Sequence, residues 1–321
     1  MDEIQESPRT QAASLVSRLE PFFDSYHLTP LQRAAAQKYI KDVIADPRHP
    51  DGLRVRNWLK SQLCHRKVAP MSPFQSGCSD LVPGLRALGW WERTDLPWLD
   101  RLEARVADIR EELLALRETG GFQPYRSPSW TAGVPTHDSG DWNVYYLFLH
   151  GMSFEDNCVK CPRTVEAVRS LVPRHFEHAF FSAINPGTHI LPHQGATNKK
   201  LRLQLPVLGT DGTRFRVGDQ IQAFEEGKAR VFDDSFEHES WHDGSATRIH
   251  LIVDFWHPDL SDTEVKFLSF IQRAKMRAEQ QIARTTDDSY FSVVQKARKV
   301  RPKDSSWWYL ESAPRADANS P

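Results

Sequence analysis

Apolar residues recur every three or four positions through the first third of the chain and every second position through the middle. This predicts helices first and strands after them. Over residues 12–23, Leu15, Val16, Leu19, Phe22 and Phe23 fall on one helical face. Pro30 opens a second run through Leu31, Ala35, Tyr39, Ile40 and Val43, which Pro47 and Pro50 end. A third follows at Leu53, Val55, Trp58, Leu59 and Leu63. After a stretch rich in Pro and Gly, a charged helix over 99–117 carries Leu102, Val106, Ile109, Leu113 and Leu116 on one face, and Gly120-Gly121 stops it.

From about Asp141 the period changes. Residues 143–150 are β-branched and aromatic and predict a strand. A short helix is expected over Pro162–Leu171. Strands follow over 179–184, 201–207, 213–217, 229–232 and 247–256, separated by Asn-Pro-Gly, Gly-Thr-Asp-Gly and Glu-Glu-Gly-Lys turns. Short strands with tight turns predict a sandwich or barrel. A helix over 262–282 closes this part. The expected division is a helical region over 1–125, a β-domain over 126–285, and a C-terminal helix with a partly disordered tail over 286–321.

Length and composition narrow the function classes. The 321 residues suffice for one large or two modest cores, with 40% hydrophobic and 26% charged residues. Lys and Arg number 41 against 42 acids, so no bulk field draws nucleic acid or an anionic membrane. No apolar run approaches the roughly 20 residues that span a bilayer, and the acidic N-terminus lacks a signal-peptide core. Four cysteines are too few for a disulfide framework, and the expected setting is reducing and cytoplasmic. Cys158-Val159-Lys160-Cys161 has no second ligand pair at zinc spacing; it reads as a loop with free thiols or a strained disulfide.

The chemistry concentrates between Asn185 and Pro258. His193 lies in Pro186-Gly187-Thr188-His189-Ile190-Leu191-Pro192-His193-Gln194-Gly195, and His238 in Phe232-Asp233-Asp234-Ser235-Phe236-Glu237-His238-Glu239-Ser240-Trp241. Both read as residues of neighbouring strands. Imidazoles on adjoining strands suit iron, zinc, copper or nickel, and a non-haem iron site that uses an oxoacid also needs a cation. Arg248, inside the apolar strand Ile249-His250-Leu251-Ile252-Val253, supplies one. A cation there needs a buried anion. That anion is either an oxoacid carboxylate, which a guanidinium grips with two hydrogen bonds, or one of Asp233, Asp234 and Asp254. Arg202 poses the same question in its own strand. The carboxylate usual in an iron triad would stand two residues after His193, where this chain has Gly195. Singly, His189 and His193 are also readable as ordinary core or turn histidines.

Together, residues 185–195, Thr197-Asn198, Leu201-Arg202-Leu203, Glu226-Gly227-Lys228, 232–239, Arg248 and Asp254-Phe255-Trp256-His257-Pro258 resemble the aspartyl/asparaginyl β-hydroxylase family. The resemblance covers roughly residues 140–262. It implies an α+β chain with a double-stranded β-helix (jelly-roll, cupin-like) core, and Fe(II), 2-oxoglutarate and O2 as cofactor and cosubstrates. It also implies iron held by two histidines alone, so that Gly195 agrees with the family.

Carried over by position, His193 and His238 would ligate iron. Arg248 and Ser182 would hold the distal carboxylate of 2-oxoglutarate, with Arg202 near its other carboxylate. Asp234 would orient metal-bound water, and Trp142 would stand near the pocket. Gln204 departs from the family, which often has His there, yet it can still donate to a carboxylate. His250 shares a strand face with Arg248 and reads as an interior histidine or a cosubstrate contact.

The implied activity is hydroxylation of an unactivated carbon of a peptide or small molecule, coupled to conversion of 2-oxoglutarate to succinate. Two alternatives stay open: a cupin-like 2-oxoglutarate-binding module without turnover, and a zinc hydrolase using Asp234 or Glu237. The N-terminal helices and the Trp-rich tail lie outside the resemblance.

Overall fold

The computed structural model describes residues 14–46, 48–64, 67–126 and 135–286, together with 291, 292, 294, 308 and 310. Its centre is two facing antiparallel sheets. The larger has the strand order β1 (Trp90–Trp91), β11 (Arg230–Phe232), β8 (Lys200–Leu208), β13 (Arg248–Trp256), β6 (His175–Ile184), β4 (Trp142–Leu149) and β2 (Gln123–Pro124), with β5 (Met152–Ser153) paired to β4. The smaller has the order β10 (Gln220–Ala223), β9 (Thr213–Val217), β12 (His238–His242), β7 (Thr188–His193) and β3 (His137–Ser139). From β6 onward the chain alternates between the sheets: β6 large, β7 small, β8 large, β9 and β10 small, β11 large, β12 small, β13 large. That winding is a double-stranded β-helix.

Alternation along each strand sends side chains to two environments. Tyr145, Leu147, Phe181, Leu203, Leu251 and Val253 leave the outer face of the large sheet. They pack with α4 (Leu99–Glu103), α5 (Val106–Thr119) and α7 (Pro162–Leu171), which follows the one-turn α6 (Glu155–Cys158). Helix α5 thus shares a core with strands beyond the expected boundary at 125. The inner face carries Trp142, Val144, Tyr146, Phe180, Ile184 and Ile252, packed with Ile190 of the small sheet. A separate core joins α1 (Glu20–Ser25), α2 (Pro30–Tyr39), α3 (Leu53–Leu63) and α8 (Asp262–Ile282) around Trp58, Phe267, Leu268 and Ile271.

Two expected helices are interrupted. The first breaks before Glu20, because Pro21 has no amide hydrogen to continue the preceding turn. The expected 99–117 helix divides into α4 and α5 at Ala104–Arg105, for which nothing in the structure gives a reason. The second run leaves α-geometry after Tyr39 and finishes in a π-turn at Ile40–Ile44. Pro47 and nearly all of the tail beyond 286 lie outside the described residues.

Helix α8 is anchored at its start. Ser261 caps it and Glu264 returns the bond in a capping box, while Glu264 Oε1 also accepts from the amides of Arg54 and Val55 at the head of α3. Phe267, Leu268 and Ile271 are fully buried, each contributing about 1.5–3 kcal/mol to holding the helix in place. Among the described residues no helix is long and apolar enough to cross a membrane.

Candidate functional site

His193 ends β7 and His238 begins β12, directly opposite one another in register, with ring centroids 4.2 Å apart. Each imidazole is locked in the same way. His193 Nδ1 lies 2.8 Å from the Leu191 carbonyl and His238 Nδ1 2.8 Å from the Phe236 carbonyl. A carbonyl only accepts, so both rings carry the proton on Nδ1 and leave the Nε2 lone pair free, the tautomer a metal requires. Burial holds both rings below the ordinary histidine range, His238 further than His193, and the neighbouring His193 lowers His238 further. His193 keeps its contact with solvent through the cavity mouth even though protein surrounds it; His238 is buried. Among the described residues no third His, Cys, Asp or Glu joins them into a larger ligand cluster.

Gly195 explains the missing carboxylate sterically. A Cβ there would fall 2.7 Å from the carboxyl atoms of Asp234, whose backbone carbonyl also accepts from the Gly195 amide at 2.5 Å. Asp234 therefore takes the space a side chain at 195 would need. Its Oδ2 accepts from Lys200 Nζ at 2.6 Å, while its buried Oδ1 has no hydrogen-bond partner among the described residues. An unfilled acceptor beside two free imidazole nitrogens suits a water bound to a metal. The residues present thus fit a two-histidine metal site.

On the large sheet the inner face is laid out in rows by register. Trp142, Ile184 and Arg248 form one, Val144, Ser182 and His250 the next, and Phe180, Ile252 and Gln204 the third. His178, Asp254 and Arg202 form the fourth. Arg248 is 1% exposed, and none of the three acids considered from the sequence pairs with it. Asp254 binds Arg202 through two hydrogen bonds of 2.8 and 2.9 Å and Lys200 at 2.8 Å; Asp234 binds Lys200; Asp233 accepts from Ser235.

Arg248 NH2 instead donates to Gln204 Oε1 at 3.0 Å and His250 Nδ1 at 2.9 Å. Since guanidinium only donates, His250 accepts at Nδ1 and carries its hydrogen on Nε2. The 2.9 Å approach of His250 Nδ1 to Gln204 Oε1 is then a contact of two acceptors sharing one donor group. Arg248 Nε, Arg248 NH1 and His250 Nε2 are buried donors with no acceptor among the described residues. Burial alone pulls the Arg248 pKa down to about 9, which leaves it charged at neutral pH. Ser182 Oγ accepts from Trp142 Nε1 at 3.0 Å, so its own hydrogen remains to be donated. Ser240, between His238 and His242 on β12, adds another buried hydroxyl without a partner among the described residues.

A cavity of about 720 Å³ opens over this region, bordered by His193, His238, Asp234, Arg202, Trp142 and Tyr125 at one end. Tyr125 stacks on Trp142 with centroids 3.7 Å apart. Arg248, Gln204 and His250 lie in the buried layer next to Trp142 and Ser182. His189, a histidine of the same sequence motif, faces the other way: it stacks on Trp241 and pairs with Asp138 and Glu239 on the far side of the small sheet.

The sequence reading missed three contributors. Lys200 shares a strand face with Arg202 and joins Asp234 to Asp254. His150 and His178 border the cavity with rings 4.4 Å apart. His150 sits in the left-handed region at φ 48° with Gly151 at 84°, the two-residue turn between β4 and β5. Lys200 was findable from the cations at 200 and 202 in an apolar strand; His150 needed the turn. Glu237, named for a hydrolase, pairs with Arg216. The Cys158 and Cys161 thiols are free and buried, the first donating to the Leu147 carbonyl at 3.4 Å.

Residues 103–258 match the sequence profile of the family described as Aspartyl/Asparaginyl beta-hydroxylase. The human protein named aspartyl/asparaginyl beta-hydroxylase is 34% identical over 199 residues, covering 59% of this chain and 25% of that one. Human aspartate beta-hydroxylase domain-containing protein 2 is 39% identical over 140 residues, covering 41% and 38%. A protein of Rhizobium tropici named ornithine lipid ester-linked acyl 2-hydroxylase is 33% identical over 175 residues, covering 52% and 60%. The chain thus spans a quarter to three fifths of the length of these relatives.

Proposed function

Because residues 103–258 belong to the aspartyl/asparaginyl β-hydroxylase family, we propose that this chain is an Fe(II)- and 2-oxoglutarate-dependent oxygenase that hydroxylates an unactivated carbon. Its target on this reading is the β-carbon of an Asp- or Asn-like residue or of a related small molecule. One observation carries the proposal: a fully buried, charged Arg248 with free donors and, among the described residues, no acid within reach. Burying a lone cation is costly unless an anion arrives to pair with it. The dicarboxylate 2-oxoglutarate supplies a carboxylate for the guanidinium, with Ser182 Oγ and His250 Nε2 as further donors.

His193 and His238 would hold the metal through their Nε2 atoms, the Leu191 and Phe236 carbonyls fixing both rings. Bound iron(II) supplies, with dioxygen and 2-oxoglutarate, the oxidation that exchanges C–H for C–OH. The chain itself positions the reactants and excludes water. Asp234 Oδ1 would accept a hydrogen bond from a water on the metal, and Lys200, bonded to Oδ2, fixes the orientation of that carboxylate. Arg202, held by Asp254, presents its positive charge toward the end of the cavity where the second carboxylate would lie. Trp142, tethered to Ser182 and stacked on Tyr125, shields that layer from bulk solvent.

The test is conversion of 2-oxoglutarate to succinate by the Fe(II)-loaded chain without added substrate, compared with the His193→Ala/His238→Ala double variant. Turnover that the double variant lacks is expected. Equal rates in the two proteins count against the reading.

A further inference from the structure

The cavity extends well past the two histidines, and its far wall comes from parts of the chain outside residues 103–258. Tyr26 at the end of α1 and Leu268, Ile271 and Met276 of α8 form this wall, with Phe291 and, from β6, Phe176. A five-carbon diacid leaves most of the 720 Å³ unfilled. The space that remains runs from Asp234 and Lys200, past His178 and His150, to this apolar surface.

The charges on the far side are already matched. Lys199 Nζ binds Asp80 at 2.5 Å and stands over the Trp58 ring; Lys275 lies 3.7 Å from Glu279 and 5.2 Å from the Tyr26 ring centroid. Among the described residues no surplus charge waits there for an ionic group. Burial holds His178 and His150 neutral, so they also offer no net charge to this end. Helix α8, which carries much of this wall, is anchored at its start: Ser261 caps it, Glu264 ties it to α3, and the Tyr39 hydroxyl donates to the Thr263 carbonyl.

Building on the oxygenase reading, we propose that Tyr26 and α8 are the specificity-determining wall of this cavity, and that the substrate carries an alkyl or aromatic segment that lies against it. The metal end and the cosubstrate layer lie within residues 103–258, whereas Tyr26 and α8 lie outside them. An apolar segment there replaces water on the half-buried Tyr26 and Met276, and each such side chain covered is worth about tenfold or more in affinity. A short, densely charged side chain finds no partner on that wall.

The test uses the full chain with two probes, N-decanoylglycine and N-acetylaspartate amide, titrated calorimetrically with and without Mn(II) and 2-oxoglutarate. N-Decanoylglycine is expected to bind at least about tenfold more tightly, and its methylene protons to be relaxed by bound Mn(II). Met276→Gln and Tyr26→Gln, both at half-buried positions and each checked for an unchanged circular-dichroism spectrum, should each weaken it about tenfold. Tighter binding of the aspartyl probe overturns the proposal, as does decanoyl binding that neither substitution changes. Failure of Mn(II) and 2-oxoglutarate to bind, with decanoylglycine binding still lost in both variants, removes the oxygenase reading and leaves the wall standing.

Discussion

The carboxyl group of Asp234 fills the space in front of the Gly195 Cα, so that a Cβ at 195 would lie 2.7 Å from Asp234 Oδ1. The absence of a carboxylate two residues after His193 is therefore a packing requirement. Gly195→Ala should cost about 1–3 kcal/mol through this overlap. Gly195→Asp should weaken Mn(II) binding, because the new carboxylate meets Asp234 instead of completing a three-ligand site. The cost of Gly195→Ala should shrink in an Asp234→Ala background, where the overlap is gone. Urea unfolding of the four proteins in this cycle measures the coupling, and strict additivity would sink the steric account.

The fold buries the Arg248 guanidinium without an acid partner among the described residues. Replacing the unpaired cation with Met, of similar length and without charge, should leave the metal-free protein as stable or more stable by roughly 1–4 kcal/mol. On the proposed function, 2-oxoglutarate should raise the Tm of the wild-type protein, and the same substitution should remove that rise. Thermal melts with and without 2-oxoglutarate check both halves together. A loss of stability in Arg248→Met without ligand would show that Arg248 has an anionic partner in the free protein, contrary to its surroundings.

Much of this arrangement could be read in the sequence because it depends on strand alternation. His193, His238, Arg202, Gln204 and Arg248 fall on inner faces wherever the strands begin, so their convergence needs only correct parity. The pairing of charges could not be read in that way. Arg248 and Arg202 look equivalent as cations in apolar strands, yet Asp254 lies opposite Arg202 and Ile184 opposite Arg248. Only register separates the satisfied guanidinium from the free one. His189 and His193 are likewise four residues apart in one motif, but the chain between them turns one to the outside. Trp90–Trp91, buried in a Pro- and Gly-rich stretch, joins the large sheet beside β11 by pairing that no local pattern announces.

Asp254 is the anchor of the buried charge ladder. Neighbouring Arg202 and Lys200 overcome the burial that would otherwise raise its pKa, and hold it well below the usual carboxylate range. Asp254→Asn would leave two buried cations sharing the single carboxylate of Asp234, at a cost of about 3–5 kcal/mol. Breaking the exposed pair Arg174–Asp262 by Asp262→Asn should cost under about 1 kcal/mol, since solvent screens it. Chemical denaturation of the two variants side by side decides the matter; comparable losses would contradict the ladder's role.

Acid should destabilise the metal-free protein well before its carboxylates protonate. Burial holds His178, His238, His250 and His257 below the ordinary histidine range, His257 at about 4. Between roughly pH 6.5 and 4 the unfolded chain binds protons at these positions that the folded chain refuses, so stability rises with pH across that window. Asp233 acts in the opposite sense. Burial lifts its pKa to about 7, so the folded state holds a proton there that the unfolded state has lost, and this contribution fades as pH rises toward 7. These lowered histidines, joined by His150 and His175 at about 4, outweigh the one raised aspartate and leave a net excess of protons on the unfolded chain, each worth about 1.4 kcal/mol per pH unit. The urea midpoint should therefore fall clearly between pH 7.5 and pH 5.5. An unchanged or higher midpoint at pH 5.5 would mean that these imidazoles are not buried neutral in the free protein.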